Sequence, residues 1–282
     1  KYLKNALWFF NETDIKNALM TYGAMYVSMF YQSASYNSLE YTYYYDGSDD
    51  TNHGVTLIGW DDNKTVSGAP GNGAWLIKNS WGPTWGDQGY FWLSYYDSAA
   101  AQEAVAFCNA VPISSYLNNY QYDPLGWTNS AGFGSASAWA ANIFTPTANE
   151  KLQAVAIYAV DNSVSYEIYI YDQFNGNSFS TLLGSASGTL INSGYHTISL
   201  PSGIDLTSGD DFSVVVKFTT TGYTYPIPTE DYYAGYSSAA TADPCQSYIS
   251  STGTTFTDIT SNSVFENANV CIKALTTPPQ PT

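Results

Sequence analysis

The stretch GAWLIKNSWGPTWGDQGYFWLSY, residues 73–95, reads as two short β-runs, "AWLIKNSW" and "GYFWLSYY", separated by a polar segment of Gly, Pro and Asp. Asn79 stands at the end of the first run. A carboxamide there can accept a hydrogen bond from one nitrogen of an imidazole and hold the other toward a nucleophile, without the charge by which an aspartate would pin the ring. An imidazole is close in sequence. "DDTNHGVTLIGWDDN", residues 49–63, carries His53, one of 2 histidines in the chain, in a polar tip directly before a third β-run, "VTLIGW".

Upstream, "NETDIKNALMTYGAMYVSMFY" opens with a helix signature: Thr13 is the expected cap, Ile15, Ala18 and Leu19 recur at helical spacing, and Gly23 ends the turn. "AMYVSMFY" follows as a strand. The short strands of this part are expected to be antiparallel, because no helical pattern connects them. The character changes near residue 112, where a Pro- and Gly-punctuated connector leads into "LQAVAIYAV", "SYEIYIYDQF", "GYHTISL" and "DFSVVVKFTT" at strand lengths with turns between them. That pattern is an all-β sandwich. The expected organisation is mainly β: a β-rich lobe with a short N-terminal helix over 1–111, a sandwich over 112–275, and a Pro/Thr linker over 276–282.

Composition narrows the function. The chain has 282 residues, more than one core comfortably serves. Eight Lys plus Arg against 24 Asp plus Glu give a net charge of -16, with no basic run, which argues against nucleic acid as a partner. No run approaches the roughly 20 apolar residues of a spanning helix, so a transmembrane segment is not expected. "KYLKNALWFF" lacks the order of a secretory leader. The sequons at Asn11 and Asn63, the scarcity of Lys and the abundance of Thr, Asn and Tyr nevertheless point to an extracellular or cell-surface setting.

The cysteines Cys108, Cys245 and Cys271 fit no metal spacing, and neither metal nor cofactor is expected. Cys245 and Cys271 flank apparent strands and are a candidate disulfide, whereas Cys108 reads as a small buried hydrophobe. His196, in the alternating "SGYHTISL", reads as structural. The pairs Asp61–Asp62 and Asp210–Asp211 lack the spaced oxygen ligands of a calcium loop and read as turn residues.

The stretch from Asn52 to Leu93 resembles the C-terminal half of papain-like cysteine peptidases. "NHGVTLIGW" is similar to the family's His segment, and residues 73–95 to its Asn-Ser-Trp-Gly, Trp-Gly, Gly-Tyr segment. "DIKNALMTYGAMYVSMFY" also resembles the family, where a helix delivers the chain into the barrel half of a two-lobed fold. The resemblance implies that His53 is the general base and acid, that Asn79 orients it, and that Trp81 covers their hydrogen bond from water. It places Thr51 and Asn52 along the substrate cleft, meeting a peptide through backbone, and gives Gly82, Gly86 and Gly89 to tight turns.

One departure is large. The family places its nucleophilic Cys roughly 130 residues before the His, in a Cys-Gly-Ser-Cys-Trp-like segment preceded by an oxyanion Gln. Here 52 residues precede His53 and none is cysteine. The downstream cysteines lie in strand-like contexts, without the helix N-terminus that lowers a thiol's pKa. Three readings are open: the heavy chain of a peptidase cut between its lobes, a trimmed fragment, or a half-domain kept for binding or assembly. The first is the expectation, since a lone lobe would leave its apolar face uncovered. It makes a Cys-bearing light chain of the same precursor the partner and peptides the substrate. The contrasting reading is a catalytically inactive surface adhesion or assembly protein with a vestigial lobe.

Residues from about 112 to 275 resemble the lectin-like domain that follows papain-like peptidase domains in some exported archaeal and bacterial proteins, through "YQYDPLGW", "SAWAANIFTPTANEKLQAVAIYA" and "NVCIKAL". The name implies sugar binding, which makes glycans candidate partners. Tyr223, Tyr225, Tyr232 and Tyr233 could stack on sugar rings; the competing reading for each is cross-strand packing.

Overall fold

The computed structural model describes residues 1–176 and 178–279. The chain divides into two units, Ala6–Cys108 and, for the other, Lys1–Asn5 with Asn109–Thr282. Residues 1–5, expected with the first domain, therefore group with the second. The stretch expected as a linker from 276 onward begins inside a strand that runs to Thr277, and 280–282 lie outside the described residues.

The first unit contains the end of β1 (Tyr2–Phe9), α1 (Glu12–Tyr22), β2 (Met25–Met29), β3 (Tyr36–Asn37), β4 (Thr42–Tyr43), β5 (His53–Asp61), β6 (Ala74–Lys78), β7 (Tyr90–Ser94) and the start of β8 (Ala104–Val111). Its strands are neighbours in the order β3-β4-β7-β6-β5-β2-β8. Alternation in the sequence sets which side of each strand is buried. Val55 and Leu57 point inward from β5, and Leu57 lies opposite Ile77 of β6, which lies opposite Phe91 of β7. All three of these partners are at most 1% exposed. Ile15, Ala18 and Leu19 of α1 join the same core, as their helical spacing requires. The expectation of antiparallel pairing fails at one place: β4 runs parallel to β7, Thr42 opposite Trp92. The long connection from β4 to β7 permits it, since a parallel neighbour needs a crossover rather than a hairpin.

The helix begins earlier than Thr13. Asn11, in extended conformation, accepts the Asp14 N–H at 2.9 Å and is the cap, while Thr13 lies inside the first turn. Asn11 serves better because its carboxamide also donates to the Asp14 carboxylate at 2.6 Å. Gly23 (φ 84°) closes the helix through its N–H to Leu19 O.

The second unit holds β9 (Asn119–Tyr120), β10 (Asn129–Ala131), β11 (Ser137–Phe144), β12 (Glu150–Ala159), β13 (Val164–Tyr171), β14 (Leu182–Leu190), β15 (Gly194–Leu206), β16 (Phe212–Thr219), β17 (Ile227–Glu230), β18 (Ser247–Ser250), β19 (Thr257–Asp258), β20 (Asn269–Val270) and β21 (Ile272–Thr277). Strands β15-β12-β21-β9 form one antiparallel layer, β14-β13-β16-β11-β18-β19 another, and β10-β17-β20 a small third sheet. Val155, Ile157, Ile272 and Ala274 of the first layer meet Ile168, Ile170, Val214 and Val216 of the second. The outer faces are covered too. Ala154, Ala156 and Leu275 pack with Tyr2, Tyr116 and Tyr195, and Val215 packs with Tyr248 and Phe256. Burial on both faces explains why "LQAVAIYAV" and "SVVV" are continuous rather than alternating apolar runs.

The expected Cys245–Cys271 bridge does not form, and all three cysteines are free thiols. Cys271 follows β20 and is fully buried. Cys245 sits exposed in a turn with φ 72°, its N–H donated to the Asp258 carboxylate. Cys108 is only partly buried, packed against the first core. His196 is structural as expected: it is 8% exposed and its Nε2 lies 2.9 Å from the Asn192 carbonyl oxygen.

Two expectations test these assignments. Asn11→Ala should destabilise the first unit by about 1 kcal/mol and Thr13→Ala by clearly less, read as shifts of the denaturant midpoint at constant slope. Asp97, 3% exposed, accepts the N–H groups of Tyr45 and Ala99. Burial pushes its carboxyl up from 3.8 to about 6, against the pull of those donors. The protonated form is thus favoured by folding, and its contribution to stability is complete below pH 3.8 and lost as pH rises through about 6. Stability of this unit should fall over that window, and Asp97→Asn should flatten the fall; an unchanged slope would remove Asp97 as its origin.

Candidate active site

His53 is the first residue of β5, and Asn79 directly follows β6. Thr56 of β5 lies opposite Lys78, so the strand pairing brings the two functional side chains diagonally together. His53 Nε2 lies 2.9 Å from Asn79 Oδ1. The same oxygen accepts the Ser80 N–H at 2.8 Å, and the Asn79 N–H donates to Gly89 O at 2.9 Å.

These contacts fix the proton positions. A backbone N–H can only donate, so the amide atom facing Ser80 must be the oxygen. Nε2 of His53, meeting an acceptor, must then carry the hydrogen. In the neutral ring Nδ1 is left with its lone pair, and among the described residues it has no hydrogen-bond partner. The Asn79 side chain is 7% exposed, and its Nδ2 is buried with no partner among the described residues. The arrangement can accept a proton at Nδ1 while Nε2–H stays anchored.

Aromatic rings surround the pair. Trp81 stacks on His53 with centroids 4.8 Å apart at 20°. Tyr31 and Trp85 meet the Trp81 ring edge-on at 4.6 Å and 4.9 Å, and Tyr36 stacks on Trp85 at 4.7 Å. Trp81 keeps 41% exposure, so it shields one face of the imidazole and leaves its own outer face open. The turn that carries it depends on Gly86, at φ 60°, where a Cβ would stand 2.4 Å from Tyr90 O. Burial raises the Tyr31 phenol, which stays neutral beside the imidazole.

The structure brings together His53, Asn79 and Trp81, and it gives the Asn52 side chain a structural part. Asn52 Oδ1 accepts the Tyr31 N–H at 2.7 Å and its Nδ2 donates to Tyr31 O at 3.2 Å. It mimics a strand partner, pinning the exit of β2 to the approach of β5. Thr51 is exposed beside it. Tyr31, the Ser80 N–H and Gly89 O were not singled out in the sequence. A signal for Tyr31 existed in the aromatic run "MFY" that ends the β2 segment, but nothing local distinguished a ring for the site from a ring for the core.

An imidazole anchored at Nε2 by an asparagine amide is similar to the His/Asn half of a papain-like cysteine peptidase site. The chain belongs to the lectin-like domain family: the family model "Lectin like domain" matches residues 119–276, while "Papain family cysteine protease" matches residues 2–109. Among solved structures, the clostridial cysteine protease Cwp84 after propeptide cleavage is similar with a TM-score of 0.85 and 28% identity, over 98% of this chain and 71% of that one. The cysteine protease and lectin-like domains of Cwp84, a surface layer associated protein of Clostridium difficile, match at 0.83 and 29%, over 98% and 63%. Cathepsin K of Mus musculus is 36% identical over 87 residues, 30% of this chain and 25% of its own length. The cathepsin L-like peptidase of Aedes aegypti is 35% identical over 83 residues, 28% and 23%. The chain thus spans about a quarter of the length of these curated relatives.

With 2 histidines in the chain, nitrogen NMR can read the ring directly. His53 should show a protonated Nε2 and a bare Nδ1 when neutral, and Asn79→Ala should yield a mixture of tautomers. Trp81→Ala should keep the tautomer and hasten exchange of the Nε2 proton with water. His196, whose pKa burial lowers below 6.5, should remain neutral to lower pH than a free histidine.

Proposed function

We propose that this chain is the His/Asn-bearing part of a papain-like cysteine endopeptidase at the cell surface, and that a segment outside this sequence supplies the nucleophilic thiol. The hydrogen bond from His53 Nε2 to Asn79 Oδ1, which leaves Nδ1 ready to take a proton, carries the reading. Nδ1 removes the thiol proton to give a thiolate–imidazolium pair. The thiolate attacks the scissile carbonyl, the imidazolium protonates the leaving amine, and water then releases the acyl group. None of the cysteines in this chain suits the part: Cys108 and Cys271 have thiols that burial makes harder to ionise, and Cys245 belongs to the lectin-like unit.

A surface cavity of about 620 Å³ lies beside Asn79, lined by Tyr26, Gly54, Thr56, Ile58, Lys78 and Tyr90. Lys78 forms no ion pair among the described residues, and the unpartnered Asn79 Nδ2 belongs to the same wall. Polar groups without partners on an apolar face support docking of the thiol-bearing light chain of the same precursor there. Peptides are the substrate, met by backbone near Thr51 and Asn52. The lectin-like unit attaches the enzyme to surface glycans. Its exposed tyrosines support that reading, with Tyr223, Tyr225, Tyr232 and Tyr233 all between 42% and 49% exposed and so not used up in packing. The surface-layer association of Cwp84 supports the surface setting by analogy.

In the purified protein, His53→Ala should abolish peptide cleavage. Asn79→Ala should lower kcat by on the order of tenfold to a hundredfold, because a neutral orienting group loses less than a charged one. A thiol-directed epoxide should label a companion segment and none of Cys108, Cys245 or Cys271. Labelling confined to one of these three, or unaltered turnover by His53→Ala, would overturn the assignment.

A further inference from the structure

Lys273 and Asp123 come from "NVCIKAL" and "YQYDPLGW", far apart in the chain, and meet inside the second unit. Lys273 Nζ lies 2.6 Å from Asp123 Oδ2 and 3.0 Å from the backbone oxygen of the same residue. Asp123 is 0% and Lys273 6% exposed. Asp123 Oδ1 is buried with no hydrogen-bond partner among the described residues. One carboxylate oxygen therefore faces the amine, and the other is closed off from solvent with only the buried Cys271 thiol, a weak donor, beside the carboxylate.

A third ionisable group is buried against the same loop as Asp123. Glu230, 1% exposed, ends β17, where it lies opposite Asn269 of β20. Its carboxylate accepts the N–H of Leu125, two residues beyond Asp123 in the same loop. Burial pushes the Asp123 carboxyl up to about 6 and raises Glu230 as well. An ion pair in such a place is a weak source of stability, since desolvating both charges offsets their attraction. A neutral amide would remove both buried charges together.

We propose that Lys273 and Asp123 condense into an intramolecular isopeptide bond, with Glu230 as the neighbouring acid that moves the proton. Proton transfer inside the pair gives a neutral amine and a carboxylic acid. Nζ attacks Cγ of Asp123, and the new C–N bond forms as one carboxyl oxygen departs as water. The Glu230 carboxylate takes a proton from the attacking nitrogen and returns it to the departing hydroxyl. Nothing is oxidised or reduced, and no co-reactant enters. The bond ties β21 to the loop that follows β9, joining across the layer what strand pairing alone would hold.

Intact mass of the isolated protein, unfolded in acid, tests this. The chain should be lighter than its sequence by one water, with a branched peptide joining Asp123 and Lys273 on tandem fragmentation. Asp123→Ala and Lys273→Met should each run at the full mass of their sequence. A wild-type chain at full mass, with linear peptides through both positions, would sink the proposal, and no variant has to fold for that result to count. Glu230→Gln, scored on material with native near-ultraviolet dichroism, should lose the bond; if it yields none, Glu230→Asp should form it roughly tenfold more slowly or worse. Wild-type yield and rate in the scored variant would take Glu230 out of the step.

Discussion

The register between β5 and β6 decides the site. His53 and Asn79 are 26 residues apart, and they meet because Thr56 lies opposite Lys78 while the chain continues one residue past β6. A slip of one residue would turn His53 toward the other face of the sheet. What prevents it is the opposed, buried set Leu57, Ile77 and Phe91, since a one-residue slip of a strand would turn its member of the set out of the core. The His53–Asn79 geometry is therefore a by-product of core packing across three strands, and the side chains that set this register are not polar.

The second constraint is polar and local. Asn79 Oδ1 is asked to accept from two donors, Ser80 N–H and His53 Nε2. Each such bond is modest in net stability, about 1 kcal/mol. Together they fix both the orientation of the amide and the tautomer of the ring. Stacking by Trp81 lowers the local dielectric around that bond and strengthens it, while Tyr31 and Trp85 brace the indole from its edge. This support comes from within the lobe, so the imidazole is oriented by its own chain.

Much of this was legible in the sequence, for identifiable reasons. The runs ending at Asn79 and beginning at Tyr90 are apolar and bounded by Gly, Pro and Asp, so both strands and the turn between them could be read locally. His53 and Asn79 were recognisable through the resemblance of the segments that carry them to the papain-like family, both segments being short and local. What stayed hidden depends on contacts between distant segments. Tyr31 reaches the site only through folding of β2 against β5, and nothing in the sequence shows that the Asn52 carboxamide is paired with the Tyr31 backbone. The Cys245–Cys271 pairing failed for a related reason: proximity to strands near the C-terminus does not reveal that one thiol is interior and the other faces water.

The two units handle scarce charge in different ways. In the first, Lys16 bridges Glu12 and Asp62 over the rings of Trp75 and Tyr95, an arrangement that keeps the cation near water and close to carboxylates. In the second, Lys273 and Asp123 are withdrawn entirely, and the residues around them come from the segments that carried the lectin-like resemblance. Solvation makes the former arrangement tolerant of substitution, since either carboxylate can be replaced by water. Burial makes the latter intolerant, because removing one partner strands the other where nothing can compensate it. The segments "YQYDPLGW" and "NVCIKAL" thus meet in the interior of the sandwich through this pair, and their contribution here is to its assembly.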